Sequence, residues 1–338
     1  MKPMPEQTGP PEFWMRNVSF AGLLRTLKCL ARHPDGLRAR DLNAMIVALS
    51  LYTTRAATNP AKTTLYHCRN TLLQLGAVKR LQRRLVVNKD DPVVRTLLAA
   101  PAPSGQMLSA SAREAFACLV LRNPSCKKQF FDLFIPGCHD YKVADFRVKG
   151  KSVVWRRTLE TFPLRQVVLT SRDGETLRSL RSHSEIRSIL YGVRYWARDE
   201  LRIIDEFYKE GLGTVMYPIA TPGDSCEAED LIRRIVCWPM GKAEEWATIS
   251  IADLLEKCCE SEHRPKACLF EALTLADKRY SGYIMLVPTS RSFATLTARS
   301  RQREEHELRS YFRDNQRRYI SHIRIHRSLR ETSQCLPR

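Results

Sequence analysis

Near the start of the chain, apolar residues recur at helical spacing. Phe20, Leu23, Leu24, Leu27 and Leu30 fall on one helix face, and Ser19 is placed to cap the first turn. His33-Pro-Asp-Gly36 breaks that pattern with two turn formers. A second helix is predicted from Arg40 to about Leu51, turning Leu42, Met45, Ile46 and Leu49 inward. Thr58-Asn-Pro60 predicts the start of a third helix, because Asn59 can cap it and Pro60 suits a first helical position. Its inward stripe is Leu65, Cys68, Leu72 and Leu75, and Gly76 stands where a helix end needs a left-handed residue. Ala77 to Val87 then reads as two short strands around a turn near Gln82-Arg83. Asn88 to Pro92 ends the hairpin and opens another helix.

Three helices followed by a basic hairpin resemble the winged-helix family of DNA-binding domains. The resemblance covers residues 17–100 and rests on element order and on the helix-to-hairpin junction Leu72-Leu-Gln-Leu-Gly-Ala-Val-Lys-Arg80. It implies a recognition helix in the major groove and a wing on phosphates or in the minor groove. The residues support the same chemistry independently. With the Leu stripe inward, the third helix presents Lys62, Thr63, Tyr66, His67, Asn70 and Gln74, which include side chains that can hydrogen-bond to base edges. The hairpin adds Lys79, Arg80, Arg83 and Arg84. The competing readings are a solvated polar face and a winged helix used to bind protein.

Charge sharpens this picture. The formal charge is +19, with 55 Lys and Arg against 36 Asp and Glu. Residues 17–100 hold 14 basic residues against four acids, and residues 291–338 hold 12 against five. The long middle is nearly neutral. Two basic ends suit a polyanion gripped at two places. At 338 residues, two or three domains are expected. Residues 1–16 read as a flexible leader without a signal core, and no run of 18 apolar residues occurs. A cytoplasmic protein is expected, with its 11 scattered cysteines reduced and no C-x-x-C pair among them.

The expected fold class is mainly α with small β-hairpins (α+β), as tandem winged-helix-like modules joined by a mixed helical middle region, 101–228. Pro101 to Gly105 reads as a linker, Ser111 to Arg122 as a helix and Lys127 to Ile135 as a short aromatic-rich segment. Val153 to Trp155 and Val167 to Leu169 look strand-like around a turn at Arg172-Asp-Gly174. A long helix is predicted from Ser184 toward Tyr208, with Asp199, Glu200, Asp205 and Glu206 on a solvated face. A second winged helix is sketched at 229–297: a helix capped by Ser250, a helix from Pro265 to Lys278, and a hairpin of Tyr283–Val287 with Ser292–Leu296. Residues 298–338 are predicted as a basic helical arm. Arg317, Arg318, Arg324, Arg327 and Arg330 would reach phosphate while Tyr319, Ile320, Ile323 and Ile325 dock; alternatively the Arg stems cover apolar surface.

No P-loop, H-E-x-x-H or G-x-S-x-G motif occurs, and the Cys258, Cys259, His263 and Cys268 grouping matches no common zinc spacing. No catalytic residue, metal or cofactor is therefore expected. The favoured reading is a non-enzymatic DNA-binding protein, a transcription regulator or a DNA-targeting subunit of a larger system. A winged-helix adaptor of a nucleic-acid-processing complex is the alternative, and an RNA-binding subunit a further one. Expected partners are DNA, double-stranded first, and proteins through the middle and second module; no membrane is expected, and a homodimer is left open.

Overall fold

The computed structural model describes residues 19–51, 62–123, 153–158, 166–171, 175–180, 194–209, 213–219, 228–239, 244–289 and 312–329. The leader, the Thr58–Pro60 helix start, the aromatic segment at 127–135, the 172–174 turn, Ser184–Val193 and the strand expected at 292–296 lie outside these residues. The chain is α+β. It divides into two units: Met1–Arg147 with Leu159–Val167 and Ser179–Ile203, and Val148–Thr158 with Val168–Arg178 and Ile204–Arg338.

In the first unit, α1 (Phe20–Ala31) starts where expected. Ser19 Oγ accepts the Gly22 N–H at 3.3 Å, and the Glu200 carboxylate accepts the Phe20 N–H at 2.6 Å. Both occupy donors that a helix start leaves without partners. Phe20, Leu23, Leu24, Leu27 and Leu30 are all fully buried. Next come β1 (Leu37–Arg38), α2 (Ala39–Ala48), α3 (Lys62–Gln74), β2 (Val78–Leu81) and β3 (Arg84–Val87). The strands form an antiparallel sheet in the order β1-β3-β2. Gly36 permits this closure. Its φ is +72°, and a Cβ there would lie 2.5 Å from the Leu85 carbonyl oxygen. Helix α2 is shorter than its apolar pattern suggested: it ends at Ala48, Ser50 takes a positive φ, and Leu49 is 56 % exposed rather than core.

Helix α4 (Pro92–Ala99) is capped by Asp91, and α5 (Ala110–Arg122) by Ser109. The boundary expected at residue 100 is not where this unit ends. Ala112 and Ala115 to Leu121 are all buried, and Phe116 meets Phe20 edge-on at 5.0 Å. A helix apolar on nearly every side must be enclosed. Lys28 Nζ donates to the Leu98 carbonyl at 2.7 Å and to Ala100 O, placing a cation on the α4 C-terminus.

Among its described residues the middle is not chiefly helical. It contains a five-stranded sheet in the order β6-β5-β4-β8-β7, built from β4 (Val153–Thr158), β5 (Gln166–Ser171), β6 (Thr176–Leu180), β7 (Ile204–Lys209) and β8 (Gly213–Pro218). The helix expected to reach Tyr208 stops after a π-helical turn at Trp196–Glu200; Arg202 takes φ 53°, and strand β7 follows. Leu201, Ile204 and Phe207 fit helical spacing, but pairing of β7 with β8 along its whole length prevails.

The second unit continues with α6 (Ala228–Val236), β9 (Trp246–Ser250), α7 (Ile251–Leu255) with a π-helical extension over Glu256–Glu260, and α8 (Lys266–Arg279). Ser250 caps α7 as its position predicts, accepting from the Asp253 N–H. Strands β10 (Ile284–Pro288), β11 (Phe312–Arg313) and β12 (Tyr319–His326) complete it. β12 is the central strand, with β10 on one side and β9 and β11 end to end on the other.

The described part of the expected helical arm is therefore mainly a core strand. Its Ile-Arg-Ile-His alternation has period two, burying Ile323 and Ile325. A bulge opposite Val287/Pro288 adds one residue and lets Ile320 face inward as well. These residues pack with Leu231, Ile235, Ile249, Leu254, Leu269 and Leu273. β10 thus pairs with β12, where Ser292–Leu296 had been expected. From α1 to β3 the first unit runs helix, strand, helix, helix and two strands; from α6 to β12 the second runs helix, strand, helix, helix and three strands, and in both the last strand is central.

Candidate nucleic-acid interface

Helix α3 is oriented by what it buries. Leu65, Cys68, Thr71, Leu72 and the following Leu75 are buried. Cys68 Sγ lies 3.8 Å from Thr26 Oγ1, which donates to the Gly22 carbonyl at 2.9 Å. Burial pushes the Cys68 thiol up to about 12, so it is a neutral packing group. The opposite face carries Lys62, Thr63 and Tyr66, all exposed, Tyr66 at 52 %, with His67 and Asn70 half-buried beside them. The Tyr66 and His67 rings meet edge-on at 5.7 Å. Arg69 is diverted from this face, donating to the Ala39 carbonyl at 3.3 Å and to Asn43 Oδ1, which ties α3 to α2.

Gly76, at φ +68°, turns the chain from α3 into β2. Asn88 locks the junction, its side chain donating to Gly76 O at 2.9 Å and its N–H to Ala77 O at 3.0 Å. Helix and hairpin are one body. The hairpin turns through Gln82 (φ 47°) and Arg83 (φ 64°), with Leu81 opposite Arg84. Two left-handed residues make a type I′ turn, where Asn-Gly would be favoured. Placing a bulky residue at each position costs about 1 kcal/mol or more, and it sets a guanidinium at the apex.

Val78, Leu85 and Val87 hold the hairpin to the core, while Lys79, Arg80, Arg83 and Arg84 are exposed and Leu81 is 63 % exposed at the tip. Lys79 pairs with Asp90 at 3.0 Å in full solvent, a weak contact. Arg84 lies 3.4 Å from the Asp35 and Gly36 carbonyls. Among the described residues, Arg80 and Arg83 make no hydrogen bond or ion pair. Other cations of this unit serve the fold: Arg25 bonds Gly105 O, and Arg122 pairs with Asp91.

The C-terminal set belongs to the second unit and shares no helical face. Arg317 is exposed at a left-handed turn position (φ 62°). Arg318 is held by Asp314 at 2.8 Å through both its N–H and Nε. Arg324 lies over the Trp246 ring at 5.1 Å, and Arg327 is exposed just beyond β12.

The four carboxylates expected on a solvated helix face take separate structural parts. Asp199 pairs with Arg198, and Glu200 caps α1. Asp205 and Glu206 are buried in β7. Asp205 accepts from the Lys266 backbone N–H at 2.8 Å and pairs with Lys266 Nζ at 3.0 Å. No group of three or more metal-ligating side chains comes together among the described residues; Cys258 and Cys259 are buried, and burial raises the Cys258 thiol. No described helix is long and apolar enough to cross a membrane. Sequence reasoning missed the Leu81 tip and a Trp246, Tyr283 and His326 cluster. The alternation Trp246-Ala-Thr-Ile-Ser250 was the available signal for the latter.

No family model, curated protein or solved structure matches the chain.

Proposed function

We propose that the first unit contains a winged-helix module that binds double-stranded DNA without catalysing a reaction on it. Helix α3 lies in the major groove, and the β2–β3 hairpin contacts phosphates or the adjoining minor groove. One observation carries this reading: a polar helix face runs through a locked glycine turn into a hairpin whose Arg80 and Arg83 are exposed and make no hydrogen bond or ion pair among the described residues. The strand order β1-β3-β2 supports it. The chain then acts as a transcription regulator or as the DNA-targeting subunit of a larger system.

The similar element order at 228–329, with β11 as an added strand, supports a second winged-helix module. Its counterpart of α3 is α8, which exposes Glu271 and Leu275. A carboxylate in mid-face opposes phosphate, so this module is assigned to a protein partner. That gives the adaptor reading a place in the second unit.

The test is discrimination. A preferred duplex is first selected from a random pool. Tyr66→Ala with Asn70→Ala then weakens binding to that duplex by about 10- to 100-fold and changes binding to unrelated duplex by less than about 3-fold. Equal loss on both sequences refutes readout by α3.

A further inference from the structure

The β9–β12–β10 sheet has one face in the core and one turned away from it. Ala247, Ile249, Ile323, Ile325 and Ile284 point into the core. By the alternation of a strand, Trp246, Arg324, His326 and Met285 lie on the other face. Strand register brings them together: His326 is opposite Trp246, and Arg324 is flanked by Met285 and Thr248. The His326 ring stands edge-on to Trp246 at 4.8 Å and to Tyr283 at 6.1 Å. His326 is oriented by Ser328 Oγ at 2.6 Å from Nδ1 and by Glu245 Oε1 at 3.2 Å from Nε2. Arg324 is stacked over Trp246 at 5.1 Å. Tyr283 and Met285 are 48 % and 46 % exposed, and His322 and Arg327 are exposed at the two ends of the row.

This combination is specific. Tyr283 is half-exposed, Trp246 is half-buried with the Arg324 guanidinium over its ring, Arg327 is exposed just beyond the row, and Glu245 is engaged by His326. Duplex DNA hides its base faces within the stack and cannot use such a platform, whereas unpaired bases can. We propose that this face binds single-stranded DNA, stacking one base on Tyr283 and another on Trp246 as Arg324 moves off that ring to a phosphate, with Arg327 adding positive charge beside it. The choice of DNA over RNA rests on the duplex-binding reading of the first unit, since a strand opened from that duplex is the single strand at hand.

The experiment uses the full chain and fluorescein-labelled dT12, rU12 and a 30-base-pair duplex, read by anisotropy. The wild type binds dT12 more tightly than rU12. Trp246→Ala weakens dT12 binding by about 10- to 100-fold, Trp246→Phe stays within about 3-fold, and neither variant changes duplex binding. Arg83→Ala with Arg84→Ala weakens duplex binding and leaves dT12 binding unchanged. A wild type that binds duplex but not dT12 overturns this inference alone; one that binds dT12 but not duplex overturns the first unit's role alone. The inference also fails if rU12 is preferred, if Trp246→Ala keeps full dT12 affinity, if Trp246→Phe loses as much as Trp246→Ala, or if the wild type sediments as a dimer that Trp246→Ala converts to a monomer.

Discussion

Removing the hairpin's two terminal guanidiniums gives a calculable effect. Arg83 is exposed and makes no bond among the described residues, and Arg84 only approaches two carbonyls at 3.4 Å. Neither side chain holds the hairpin down; Val78, Leu85 and Val87 do that. Arg83→Ala with Arg84→Ala therefore removes two charges and leaves the fold intact. Each phosphate contact releases counterions, and the dependence of log K on log salt has a slope of about −0.9 per contact. Loss of two contacts flattens that slope by about 1.8. Extrapolated to the common 1 M intercept, the double variant binds about 30-fold more weakly at 0.15 M salt and about 200-fold more weakly at 0.05 M. At 0.15 M this corresponds to about 2 kcal/mol. The assay is anisotropy titration of a 30-base-pair duplex from 0.05 to 0.3 M salt. Parallel lines for wild type and variant would refute the reasoning, because an indirect loss of affinity displaces the line without changing its slope.

Two further outcomes concern the platform that carries the interface. Gly36→Ala puts a Cβ 2.5 Å from Leu85 O and 2.7 Å from Val86 Cγ2 at φ +72°; left-handed strain plus the clash lowers stability by about 2–4 kcal/mol, and a urea-unfolding loss below about 1 kcal/mol would contradict the β1–β3 closure. Burial pushes the Asp91 carboxyl up, but Arg122 and the Val93 N–H outweigh it and hold its pKa below the usual value. A depressed pKa gives stability that is present above the unfolded pKa of about 4 and lost as pH falls through the folded value. Asp91→Asn, which keeps the N-cap oxygen, should cost about 1 kcal/mol at pH 7 and almost nothing near pH 2; an equal deficit at both pH values in thermal melts would remove the Arg122 pair from the account.

Legibility from sequence followed the range of the interactions. The start of α1, the Gly36 turn, the α3 stripe, Gly76 and the turn at Gln82-Arg83 are set within a few residues by periodicity, caps and turn chemistry, and they were readable. Strand β7 was not, since Leu201, Ile204 and Phe207 fall at helical spacing and only the pairing with β8 makes the segment a strand. β12 was misread because Arg and His between isoleucines resemble a helical arm until β9 and β10, distant in sequence, supply its backbone partners. The absorption of α5 into the first unit depends on Phe116 meeting Phe20, which no local pattern encodes. Within the interface, residue types indicated which side chains are polar. Only the fold shows Arg69 turned back to Asn43 while Arg80 and Arg83 stay exposed, without a partner among the described residues.

Amide hydrogen exchange across the full chain, with and without the selected 30-base-pair duplex, tests the central claim most directly. The account predicts slowed exchange in Lys62–Asn70 and Lys79–Arg84 and no change in α8. Protection that spares α3 and the hairpin, or that falls on α8 instead, would contradict it.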